Sequence, residues 1–126
     1  MGRKENAEKA RKILDAGIEV VITFKERTKP DGMPYLTCLA EGRPVAGASG
    51  GGYCRTGSCL GDFANLAFPD LLEKLDPKDF YGLAQPGLID GSRGETEVEK
   101  ILKAIGYDLT HRYGRAGREE YVIRKI

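Results

Sequence analysis

Hydrophobic positions change period several times along the chain, and each change marks an element. Ile18, Val20, Ile22 and Phe24 alternate with Glu19, Val21, Thr23 and Lys25. That predicts a half-buried strand over 18–25, because successive strand side chains point to opposite faces. Lys29-Pro30-Asp31-Gly32 follows as a turn, in which proline presets φ and glycine accepts the left-handed position. Pro34 to Ala40 reads as the returning strand, with Leu36, Cys38 and Ala40 on one face. Glu41 to Pro44 turns the chain again, into a short strand of small residues from Pro44 to Ala48. Three antiparallel strands in a meander are the simplest arrangement.

Helical periods flank this meander. Glu5 to Ala16 reads as a helix with Ala7, Ala10 and Leu14 on one side, Asn6 as its cap and Gly17 as its stop. Its apolar stripe is thin, which suits a helix lying on a sheet. Leu60, Phe63, Ala64 and Ala67 recur at i, i+3, i+4 and i+7, with Thr56 or Ser58 able to cap the first turn. Pro69 breaks that helix, and Asp70 can cap a short continuation to Leu75. From Lys78 to Gly91 the pattern is irregular, a long connection anchored by Phe80, Tyr81, Leu83, Leu88 and Ile89. Ser92-Arg93-Gly94-Glu95 has the form of a capping box. The helix it opens carries Val98, Ile101, Leu102 and Ile105 inward and stops at Gly106. Tyr107, Leu109, His111 and Tyr113 then alternate, Gly114 to Gly117 turns, and Glu120 to Lys125 returns as a terminal hairpin. The sum is a single α+β domain over 1–126: a mainly antiparallel sheet, N-terminal meander plus C-terminal hairpin, with three to four helices packed on one face.

The stretch Gly47 to Ser58 stands where a strand pattern ends and a helix pattern begins. Two jobs fit it. Glycines let one backbone lie close against another. Successive N–H groups at a helix start also favour a phosphate or carboxylate. In the second case Gly50, Gly51, Gly52 and Thr56 would line the anion, Tyr53 would offer a stacking surface and Arg55 a fork of donors. A P-loop is excluded, because Tyr53 and Cys54 follow Gly52 where Lys-Ser/Thr would be required. The dinucleotide fingerprint fails too, since Arg55 occupies the place of its third glycine.

The run from Gly42 to Leu60 resembles small uncharacterised proteins of bacteriophages and prophages. In them a strand and a turn lead to a Gly-x-Gly-Tyr-Asp-Lys/Arg element and then a helix. Gly50, Gly52, Tyr53 and Arg55 match that element, and Cys54 stands where Asp is usual. The helix and Gly-Tyr of Ile101 to Tyr107 resemble the end of the same proteins. The resemblance implies a phage or prophage setting and no mechanism.

Composition narrows the field. The chain is 40% hydrophobic and 31% charged with net charge +1, so no global field draws it to nucleic acid or to a membrane surface. No apolar run has the length of a membrane span, and the N-terminus lacks the apolar core of a signal peptide. A cytoplasmic location is expected, the host cytoplasm if the chain is phage-encoded. Cys38, Cys54 and Cys59 have no paired ligand spacing, and His111 is the single histidine, so neither a metal site nor a cofactor is expected. Cys54, near a helix start where thiol pKa falls, is the best nucleophile candidate, but no catalytic set converges on it. Cys59 flanks the same helix start. Arg3, Lys4, Lys9, Arg11 and Lys12 in one terminus, and Arg112, Arg115, Arg118, Arg124 and Lys125 in the other, give basic surface. Nucleic acid nevertheless ranks behind other partners, for want of a recognised module. The leading expectation is a small non-catalytic binding protein, a phage or prophage accessory acting on a host protein. The alternative is a binder of a nucleotide or another phosphate-bearing ligand through 47–58. An exposed strand edge would suit a homodimer.

Overall fold

The computed structural model describes residues 2–49, 55–76, 78, 83–85, 88–91 and 94–126. Among the described residues, seven strands and four α-helices follow one another. They are α1 (Arg3–Asp15), β1 (Val20–Thr28), β2 (Pro34–Ala40), β3 (Arg43–Ser49), α2 (Arg55–Ala67), α3 (Leu71–Lys74), β4 (Leu83–Gln85), β5 (Leu88–Ile89), α4 (Glu95–Ala104), β6 (Tyr107–Tyr113) and β7 (Glu119–Lys125). Five strands form one antiparallel sheet in the order β3-β2-β1-β7-β6, with β1 at its centre. The α+β architecture, meander plus terminal hairpin under helices, is therefore the one the sequence predicts.

Turn chemistry fixes both hairpins of the meander. Gly32 has φ 86° and donates its N–H to Lys29 O at 2.8 Å. Glu41 and Gly42 both take positive φ, 49° and 76°, the backbone of a tight two-residue hairpin. On the helix side of the sheet, Ile22 pairs with Ala40, Phe24 with Cys38 and Cys38 with Ala46. The core forms there, around Leu14, Ile22, Cys38, Leu60, Phe63, Ile101 and Ile123.

Several sequence expectations need correction at element ends. Helix α1 starts at Arg3, and Asn6 is no cap. It lies buried on the same stripe as Ala10 and Leu14, donating Nδ2 to Pro44 O at 2.8 Å. Ile18 is 58% exposed and precedes the strand, which runs on to Thr28. Thr56 and Ser58 lie inside α2 and do not precede it. Asp70 makes no side-chain cap, because its carboxylate is taken by Arg11 of α1. Gly94, at φ 106°, is the residue before α4, so Glu95 opens that helix in place of closing a capping box; Ser92 lies outside the described residues. The connection expected to be irregular contains the small hairpin β4–β5.

That hairpin is tied to α2. Asn65 accepts from Ile89 N at 2.8 Å and donates to Ile89 O at 3.3 Å, matching both polar groups of one backbone residue. Beside it, a Cβ on Gly57 would lie 2.8 Å from Gly94 Cα. The absence of side chains at Gly57 and Gly91 is thus what lets α2 meet the start of α4. Gly47 is covered in the same sense by the ring of Tyr35. No described helix is long and apolar enough to cross a membrane.

Candidate functional site

The central sheet forks. β1 pairs with β7 only over Val20–Ile123, Val21–Val122 and Ile22–Tyr121. Past Ile22, β1 continues to Thr28 beside β2, whereas Glu119 and Glu120 of β7 follow β6. The two hairpins part, and a cleft of about 970 Å³ opens between them. One wall is Thr23 to Glu26 of β1, backed by Leu36 and Leu39 of β2. The other is Arg115, Arg118, Glu119 and Glu120 of the β6–β7 turn, and Arg55 and Thr56 of α2 stand at one end. The volume is at the upper end of what ligand sites offer.

Backbone groups face this cleft. Val21 directs both its N–H and its C=O toward Glu41, on the β2 side: Glu41 N donates to Val21 O at 3.0 Å, and Val21 N donates to Glu41 Oε1 at 2.9 Å. Alternate residues of a strand point their backbone groups the same way. Phe24 and Glu26 therefore present theirs to the side where β7 has left. By the same alternation from Tyr121, which pairs with Ile22, Glu119 presents its own to β1. None of these three has a strand partner on that side among the described residues.

Charges in the cleft are unevenly matched. Arg55 Nη1 lies 2.7 Å from Glu26 Oε1. Arg112 Nε lies 3.0 Å from Glu120 Oε2. Glu119 Oε1 is 3.3 Å from His111 Nε2 and accepts from Tyr121 Oη at 3.0 Å. Every carboxylate of the lining is thus engaged. Lys25, Arg115 and Arg118 form no ion pair among the described residues, so the uncompensated charge is positive. Phe24 supplies an apolar floor, edge-on to Tyr121 with ring centroids 5.9 Å apart. Tyr121 in turn stacks toward His111 at 4.9 Å. Burial pushes the Tyr121 phenol far above its ordinary value, with Glu95 and Glu119 adding to the effect, so it stays a hydrogen-bond donor.

Of the residues singled out in the sequence, Arg55 and Thr56 fall on the first turn of α2 and line the cleft. Gly50, Gly51, Gly52, Tyr53 and Cys54 lie outside the described residues. The Arg55 guanidinium is held by Glu26 and is not a free fork. Arg115 and Arg118, expected only as part of a basic surface, line the cleft, whereas Lys25, Glu26 and the edge of β1 were not foreseen. Their only trace in the sequence is a strand longer than its β7 partner, which no periodicity reveals.

The described thiols are sheltered. Cys38 is fully buried, and burial raises its pKa well above normal. Cys59 is likewise buried, donates weakly to Leu36 O at 3.6 Å, and has its pKa pushed up to about 12 by burial and by Asp62. The expectation that Cys59 flanks a helix start is corrected: it is one turn inside α2, against the sheet. Among the described residues no group of His, Cys, Asp and Glu is arranged to hold a metal ion. No family model, curated protein or solved structure shows a significant match to the chain.

Proposed function

We propose that the chain is a small non-catalytic binding protein, and that the fork between β1 and β7 receives a protein partner. The observation that carries this reading is the cleft itself, with surplus cations at Lys25, Arg115 and Arg118 beside strand edges that lack a described partner. Wide clefts with unmatched charge favour ligands of opposite sign and speed their capture. The resemblance of Gly50, Gly52, Tyr53 and Arg55 to a phage element supplies the setting: an accessory acting on a host protein in the host cytoplasm. The test is affinity capture from host lysate with three baits. Wild type and Lys4→Glu, a reversal on the exposed start of α1, are expected to retain the same protein. A Lys25→Glu/Arg118→Glu double variant is expected to lose it. A partner retained equally by all three would remove the cleft from the interaction, and no specific partner at all would sink the reading.

A second reading, a nucleotide or other phosphate-bearing ligand, is favoured by Arg55 and Thr56 standing at the end of the cleft on the first turn of α2. It requires Arg55 to exchange Glu26 for phosphate. Arg55→Ala would abolish such binding without unfolding the chain, and unchanged affinity in that variant would refute the assignment.

A further inference from the structure

We propose that the fork is a strand-docking site, in which an extended segment of the partner, acidic at alternate positions, pairs with the free edge of β1. This rests on the binding reading above and specifies the partner's conformation and charge.

The first argument is the ladder. Past Ile22, β1 continues for six residues, Thr23 to Thr28, bonded to β2 and with no strand on its other side among the described residues. Phe24 and Glu26 turn an amide and a carbonyl toward the cleft, and so does Glu119 across it. An extended chain laid along β1 meets a donor and an acceptor at every second residue, which gives affinity through main-chain bonds. The outer edges, β3 and β6, are bare on one flank. A segment in the fork would instead have β1 on one side and the β6–β7 turn on the other.

The second argument is charge. Lys25 alternates with Phe24 and Glu26, so it lies on the sheet face away from the helices. Arg118 and Arg115 stand on the opposite wall. These three cations have no described counter-ion, while Glu26 and Glu120 are paired with arginines and Glu119 is held by His111 and the Tyr121 hydroxyl. A docked strand alternates its own side chains. Those on the helix side would meet Phe24 and Leu36 and call for apolar groups. Those on the other side would meet Lys25 and the arginines and call for carboxylates. Phosphate ligands fit less well, because Arg55, the arginine that opens α2 beside the cleft, is already paired with Glu26.

The test uses the full chain and three labelled seven-residue peptides: alternating valine and glutamate, alternating valine and lysine, and the glutamate peptide N-methylated at every amide. Fluorescence anisotropy should show saturable binding of the first and at least tenfold weaker binding of the other two. Hydrogen exchange at the Phe24 and Glu26 amides should slow at least tenfold when the first peptide is bound. Lys25→Glu/Arg118→Glu, whose side chains are exposed and whose fold is checked by circular dichroism, should reverse the preference toward the lysine peptide. Equal binding of the methylated peptide would overturn strand pairing and leave the binding reading standing. No binding of any peptide, whether or not pyrophosphate binds, would overturn the proposal as well. Capture of a host partner is read separately, so either conclusion can fail alone.

Discussion

Arg55 on the first turn of α2 and Glu26 near the end of β1 meet at 2.7 Å, tying a helix start to the rim of the cleft. Glu26 is 57% exposed, so the pair is solvent-screened and contributes at most about 1 kcal/mol. Its larger consequence is occupancy, since the guanidinium is not free while Glu26 holds it. Glu26→Gln should leave the denaturation midpoint nearly unchanged and raise pyrophosphate affinity several-fold by calorimetry. Arg55→Ala should remove that affinity. If neither substitution alters it, Arg55 takes no part in anion binding.

Within α2, Gly57 is enclosed more tightly than Gly61. In an open helix, alanine in place of glycine would stabilise by about 1 kcal/mol. Here the added methyl would sit 2.8 Å from Gly94 Cα, and Gly94 carries backbone that cannot swing aside. Overpacking of this kind costs about 1–3 kcal/mol. Gly57→Ala is therefore expected to lower stability in urea denaturation, against its helix propensity. Gly61→Ala, whose nearest approach to Gly91 is 3.1 Å, should cost less. A stabilised Gly57→Ala protein would mean that α2 does not approach Gly91 and Gly94 in solution.

Legibility from sequence followed the range of each interaction. The bounds of β2, Pro34 and Ala40, could be read directly, because turn residues stand immediately outside both ends. The inward face of α4 at Val98, Ile101 and Leu102 was equally plain from its period. Asp70 was misread because Arg11, 59 positions earlier, competes for its carboxylate more strongly than the local amides do. Asn6 was misread for a similar reason, its amide being spent on Pro44 across the fold. The glycines announced close approach or anion binding. At Gly57 close approach is realised, but against Gly91 and Gly94, far along the chain. The fork was invisible because Thr23 to Glu26 alternate in the same way whether one neighbour strand is present or two.

Thiol chemistry separates the three cysteines. With Cys38 fully buried and Cys59 pushed up to about 12, neither forms thiolate at neutral pH. Iodoacetamide applied to the native protein should label both far more slowly than a free thiol, and label both readily in denaturant. Peptide mass mapping then isolates Cys54. Fast native labelling there would restore it as a nucleophile candidate, whereas fast labelling at Cys59 would contradict its place on the face of α2 that packs against β2.

Acid stability should depend on the latch between α1 and the α2–α3 corner. Arg11 donates to both carboxylate oxygens of Asp70, the Nη2–Oδ2 contact measuring 2.9 Å, and its guanidinium lies 5.1 Å from the centre of the Phe68 ring. Hydrogen bonding from Arg11 is the main reason the Asp70 pKa falls from 3.8 to about 2. A carboxylate whose pKa is lower in the folded than in the unfolded chain stabilises the fold where it is ionised in both states. That contribution is complete above roughly pH 4 and disappears as pH falls toward about 2. The partly exposed setting reduces its size to about 1–2 kcal/mol. Asp70→Asn should therefore lower stability by about that amount at pH 7, and the gap from wild type should be clearly smaller at about pH 2.5. Urea midpoints at the two pH values decide it: a gap of equal size at both would show that Asp70 acts through packing and not through its charge.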